Sequence, residues 1–363
     1  MKKALSLILA LAMSASLLAG CGGGDSEPAA DEGGAEGEVY TLRIATHYNQ
    51  EHLGYAALER IEEKLETESE GRLDVTLYPS SQLGDYTLTF QELGEGTVDI
   101  ALIPIPSEYD PRLEMNFIPY LFNGYDGLQA GFGEGSYFFE QYTNIMADLN
   151  IKLLGMYVEG MIGFGFVPEP VGYNDVNVDK GLMVRAPAIE VYNLVTEDMG
   201  YSATTIAYAD LYTAMQTGVC DGWIGGTPQL NYSDFRDVIK YYVPYNVFAE
   251  NIGFLMSQDV FNGMPEDLQT LITTTFTEES VNSFTTAKTG DEEAMQKMAD
   301  YGITILELTD EEMQAYIDHV IATTWPKLTD NIGEDILNGL IEANTASDAG
   351  EAAEETTEEA AEA

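Results

Sequence analysis

Apolar and polar positions alternate from Tyr40 to Thr46, as in a strand with one side buried. The next run changes period: Leu53, Ala56, Ala57, Ile61 and Leu65 recur at helical spacing, and Gly71 ends the helix. Arg72–Pro79 reads as a second strand, "DYTLTFQELGEG" as a short helix, and Val98–Pro106 as an apolar third strand. Strand–helix–strand–helix–strand predicts a parallel sheet wrapped by helices. A second such series follows: "LMVRAP", the helix "AIEVYNLVTEDMG", "YSATTIA", the helix "YADLYTAMQTGV" and "CDGWIGG". Between the two series, Ile151–Val171 is strand-rich with four glycines, and Tyr241–Met264 is again strand material. Pro265–Gly302 reads as one or two long helices opened by proline and acids. A short strand and a helix capped by Thr309, with Glu312 at the capping-box position, complete the pattern.

The ends carry no such pattern. Met1-Lys2-Lys3 precedes an apolar run, Ala4–Leu18, that is of signal-peptide length and too short to span a bilayer. It closes on "LLAGC", which resembles a bacterial lipobox with Cys21 as the lipidated first residue of the mature chain; the alternative is a chance cysteine after an ordinary cleavage site. Residues 1–20 are therefore expected to be a signal peptide, and 21–38 a disordered linker of Gly, Ala and acids. Residues 346–363 are expected to be a disordered acidic tail. The stretch between exceeds one compact core and predicts two α/β lobes. Lobe 1 is expected at 39–160 plus 251–290, and lobe 2 at 161–250 plus 291–345.

Charge narrows the partners. The chain has 62 acids against 15 Lys plus Arg, and without the termini the folded part still stands at about −36. That excess opposes nucleic acid and an anionic membrane surface as partners, so any anion site has to be local and preorganised. Cys220, the only cysteine besides Cys21, reads as a small buried hydrophobe rather than a nucleophile.

Against this acidity, Arg185 stands out. It sits inside an apolar strand-like run, Leu182-Met183-Val184, directly before Ala-Pro. A buried guanidinium without a partner is costly, so either a carboxylate of the chain meets it or a ligand does. Glu159, Glu190 and Asp210 are the candidates within the chain.

"LYPSSQLGDYTLTFQELGEGTVDIALI", "KGLMVRAP", "IAYADLYTAMQTGVCDG" and "MPEDLQTLI", in that order, carry a family resemblance from about Tyr40 to Leu340. The chain resembles the solute-binding component of tripartite ATP-independent periplasmic (TRAP) transporters, the DctP-like group. The resemblance implies a periplasmic-binding-protein-like fold: two lobes, each a mostly parallel sheet flanked by helices, and a long helix spanning both. It further implies capture of an organic acid for a membrane permease of a small and a large subunit, with no ATPase. No cofactor or metal is expected, and with no visible nucleophile–base pair no enzymatic activity is expected either. In that family the arginine of the "RAP" segment pairs with the substrate carboxylate, and Arg185 matches it.

Several positions depart from the family pattern. Ile162 stands where many members carry a second arginine, Pro104 where an acid is common, and Gly225 where an amide is common. His47 ends the first strand where asparagine is frequent, and Tyr208 takes an aromatic place beside the site. One anion anchor with fewer polar partners favours a monocarboxylate with an apolar or aromatic body. Tyr86, Phe164, Tyr208 and Trp223 are expected to line the site, each with packing in the core as the alternative.

Other chemistry is weaker. No G-x-G-x-x-G leads from a strand into a helix, and no G-K-[ST] exists. His47 and His52, five apart, allow a metal pair, against a pocket residue and an exposed helix start. Carboxylate pairs are expected by chance among so many acids. The reading is an extracytoplasmic, lipid-anchored and monomeric binding protein. The alternatives are a sensory binding protein for the same ligand and an extracellular enzyme on this fold.

Overall fold

A computed structural model describes residues 38–122, 124–125 and 127–344. The expected signal peptide, Cys21, the linker up to Gly37 and the acidic tail lie outside these residues. The first predicted series forms β1 (Tyr40–Thr46), α1 (Leu53–Glu68), β2 (Leu73–Tyr78), α2 (Tyr86–Gly94) and β3 (Ile100–Ile103). β2 and β3 both pair parallel with β1. Helix α1 starts where the His52 side chain accepts from the Gly54 amide, and it buries Ala57, Leu58, Ile61 and Leu65; Leu53 at its first position is exposed.

A 3-10 turn (Pro111–Phe117), α3 (Leu128–Phe132) and α4 (Tyr137–Asp148) lead into β4 (Ile151–Met161), and β5 (Gly163–Phe166) follows almost at once. The second series is β6 (Met183–Ala186), α5 (Glu190–Asp198), β7 (Ser202–Thr205), α6 (Tyr208–Thr217) and β8 (Gly222–Gly226), then α7 (Pro228–Phe235). Then follow β9 (Tyr241–Val243), β10 (Ala249–Ser257), α8 (Gln258–Asn262), α9 (Glu266–Tyr301), β11 (Thr304–Ile305), α10 (Asp310–Thr323) and α11 (Trp325–Ile332). The capping box on α10 is formed, with Thr309 and Glu312 satisfying each other's backbone amides.

Two sheets result. The first has the order β2-β1-β3-β10-β4, the second β11-β9-β5-β8-β6-β7. Both are mixed, with parallel and antiparallel pairs. Every antiparallel pairing involves β4, β5 or β10, the strands at which the chain passes between sheets. The first passage lies at Met161–Gly163 and the second between Val243 and Ala249. Glu250–Ile252 are already inside β10, paired with β4.

The long helical run is one helix. α9 has 36 residues and ends on Gly302 in the left-handed conformation. It lies along β4: the Val158 amide donates to Ser283 Oγ at 3.0 Å, and the Met161 amide donates to buried Asp291 Oδ2 at 2.8 Å. Tyr125 donates its hydroxyl to the same Oδ2 at 2.5 Å. Alternate residues of β1, β3 and β10 (Leu42, Ile44, Ile100, Leu102, Ile252, Phe254) meet Leu58, Ile61, Ile272 and Phe276 in one apolar cluster.

Candidate functional site

Arg185 is the third residue of β6, opposite Thr204 of β7 and Trp223 of β8. It is 2% exposed. Its Nε donates to the Ile206 carbonyl at 2.8 Å, and its guanidinium lies 5.9 Å from the centre of the Tyr208 ring. Its Nη2 is buried and among the described residues has no hydrogen-bond partner. Among the described residues no carboxylate stands within 4 Å of it. Burial pulls its pKa below that of an ordinary arginine.

The three acids that could have met Arg185 are engaged elsewhere or turned away. Glu159 accepts from Tyr48 Oη at 2.6 Å and from Thr227 Oγ1, and lies 3.4 Å from His52 Nε2. Glu190 accepts from Asn331 at 3.1 Å, and Asp210 is exposed. The guanidinium therefore points its free N–H groups into a small cavity of about 20 Å³, room for roughly one water in this conformation.

That cavity brings together five of the residues singled out from the sequence: Arg185, His47, Tyr86, Tyr208 and Gly225, with Pro104 beside them. His47 follows β1. It is buried, its Nδ1 has no partner among the described residues, and its ring meets the edge of Tyr208 at 5.3 Å. Burial pushes its pKa down to about 3, so the imidazole is neutral at working pH. Tyr86 opens α2, and its hydroxyl accepts from the Ala188 amide at 3.3 Å, just past the "RAP" segment. Tyr208 opens α6 and donates to Asp234 Oδ2 at 2.6 Å. Gly225 has φ +119°, a region that side chains avoid, and a Cβ there would lie 3.7 Å from Arg185 Nη1.

Three other residues lie away from the cavity wall. Ile162 is fully buried at the sheet passage, its backbone paired with Phe248 and Val247. Phe164 packs among Phe166, Tyr201 and Tyr245. Trp223 donates its Nε1 to Asn231 Oδ1 at 3.0 Å and packs on Phe235. Both aromatics follow the core alternative, because residues on the covered faces of the second sheet pack beneath the site.

The sequence reading missed Pro187, Ile189, Tyr192, Leu230 and Glu250, which complete the wall. Glu250 carried one legible signal: an acid inside the apolar run Phe248–Leu255. A second cavity of about 360 Å³ shares His47 and Tyr208 with the first and is lined further by Asn49, Ser80, Ser81, Tyr212, Ser233 and Asp234. His47 and His52 do not form a metal pair: the Tyr48 ring lies against both, and His52 caps α1. Burial pushes the Cys220 thiol pKa up, and the residue is a packed hydrophobe.

The model of bacterial extracellular solute-binding protein family 7 (DctP) matches residues 44–328. A C4-dicarboxylate-binding periplasmic protein, DctP of Rhodobacter capsulatus, is 24% identical over 79% of this chain and 85% of its own length. The sugar acid binding protein DctPAm of Advenella mimigardefordensis, solved with galactonate, superposes with a TM-score of 0.79 at 18% identity, over 85% of this chain and 99% of its own. A TRAP periplasmic solute binding protein of Shewanella oneidensis, solved with succinate, gives 0.75 at 22% identity, over 85% and 99%. These likenesses show a two-lobe periplasmic binding protein fold. With its residues 44–328 matched, the chain belongs to bacterial extracellular solute-binding protein family 7, the DctP-like solute-binding proteins of TRAP transporters.

Proposed function

We propose that this protein captures a small organic acid outside the cytoplasmic membrane and hands it to a TRAP permease. The ligand is a monocarboxylate with an apolar or aromatic body. Arg185 is its anchor, and the observation that carries this reading is the buried guanidinium with a free Nη2 and, among the described residues, no carboxylate beside it. A planar fork that faces a cavity accepts a carboxylate through two parallel bonds. The apolar wall of Pro104, Pro187, Ile189 and Leu230 suits a compact apolar body, and the neutral His47 adds no second charge. The lobes close over the ligand, and Cys21 tethers the protein through lipid. Mass spectrometry of acid released from natively purified protein tests the ligand class. Recovery of only dicarboxylates or sugar acids would overturn the monocarboxylate assignment.

A further inference from the structure

The cavity that holds Arg185 also holds a carboxyl group. Glu250 lies on β10, whose residues are all buried, and is itself 4% exposed. Its Oε2 accepts from the Tyr192 hydroxyl at 3.0 Å, and among the described residues nothing bonds to its Oε1. Its carboxyl lines the same space as the guanidinium, yet the two stand further apart than an ion pair. An acid and a base that share a cavity without touching leave room for a third group between them.

The groups around Glu250 decide its charge. From β4 comes Glu159, from β6 Arg185, from α5 Tyr192 and from α2 Tyr86. His47 and Tyr48 face it from the segment after β1. Glu114, on the 3-10 turn, is occupied by Ser107, the Glu190 amide and Asn331. Burial and the negative charge of Glu159 push the Glu250 carboxyl well above the usual range, outweighing the pull of Tyr192 and Arg185. Burial acts on Glu159 in the same sense, but His52, Thr227 and Tyr48 outweigh it and hold that group below the usual range. Of two neighbouring acids, then, Glu159 carries the charge and Glu250 the proton.

We propose that Glu250 contacts the ligand as a neutral carboxylic acid, its Oε1 hydroxyl donating to the ligand carboxylate held by Arg185, so that capture requires the proton on Glu250. This rests on the reading that Arg185 takes a carboxylate. The cavity then offers one positive charge and one uncharged donor, which matches a single carboxylate. Ionised, Glu250 would confront that carboxylate with a like charge.

Acetate is the probe, a carboxylate with one methyl for the apolar wall. Thermal unfolding of the mature chain is followed in sodium acetate against sodium chloride of equal strength, from about pH 6 to about pH 10. The parent's apparent affinity should fall as pH rises, by up to about tenfold per pH unit once Glu250 ionises. Glu250→Gln keeps a donor without a titrating proton, and its acetate response should not change with pH. A parent response that is constant over the range, or a Glu250→Gln response with the parent's slope, overturns the inference and leaves Arg185 in place. Absence of any acetate response in the parent, or an undiminished response in Arg185→Ala, overturns the carboxylate reading and the inference with it. Calorimetry of the parent in two buffers of different ionisation enthalpy gives a second readout that needs no variant. At the upper end of the range acetate should carry close to one proton into the site, and zero uptake at every pH overturns the proposal.

Discussion

Replacing Arg185 by methionine should make the empty protein more stable and the binding protein useless. The guanidinium is 2% exposed and among the described residues makes one hydrogen bond, from Nε to the Ile206 carbonyl. Exchanging buried ionic groups for apolar ones of similar volume is often worth about 1–4 kcal/mol. Stranding the Ile206 carbonyl takes back about 1 kcal/mol or more. The net gain is about 1–2 kcal/mol, or roughly 2–4 °C in the unfolding midpoint for a chain of this size. The binding side runs the other way. A ligand carboxylate left without its charged partner in a buried site loses about 2–5 kcal/mol, some 30-fold to several-thousand-fold in affinity. Arg185→Lys should recover little, since an ammonium supplies no planar fork. The assay pairs calorimetric titration with the released acid and thermal unfolding of ligand-free protein. If Arg185→Met melts below the parent when empty and binds as the parent does, the arginine is a structural group and the reasoning fails.

The other outcomes are simpler. Burial raises the Asp291 carboxyl well above its ordinary value, so the folded state holds a proton that the unfolded chain gives up. Its stabilising contribution is full below about pH 4 and is lost as pH rises towards the folded value. Relative to Asp291→Asn, the parent should therefore lose stability between mildly acid and neutral pH, read from urea midpoints; a constant difference would sink this. Gly160→Ala drives a methyl against the Asp291 carboxyl group beside the first sheet passage and should cost about 1–3 kcal/mol, seen as a lower melting temperature. Cys21→Ser should move the protein from the membrane to the soluble fraction on cell fractionation, and a variant that stays in the membrane contradicts the lipid anchor.

Both βαβ series were legible because their strands and helices obey different periods, as Leu53–Leu65 and Val98–Pro106 do. The passage at Ile162 lies between Gly160 and Gly163, in an apolar run that becomes β4 in one sheet and β5 in the other. Arg185 announced itself because bases are scarce and it sits in a strand. Glu250 showed only as an acid inside the apolar run Phe248–Leu255, and one acid among 62 points to no site until its burial is known; that burial comes from β10 inserting between β3 and β4. Phe164 and Trp223 were placed at the site because an aromatic reads alike whether it lines a cavity or fills the layer beneath. Only the pairing of β5 with β8 and β9 separates the two cases.

The position of β10 in the first sheet also governs how the chain can be made. Gly253 pairs with Ile103 on one side and Met156 on the other, so β3 and β4 have no direct contact as strands and each waits for a partner synthesised long after both. Until then their edges are open, and loop closure over such a span is slow. An emerging chain of this design cannot finish its first sheet until strands β5 to β9 of the second have been made. The first sheet stays incomplete until Ser257 has been made, a state that invites misassembly if it lingers.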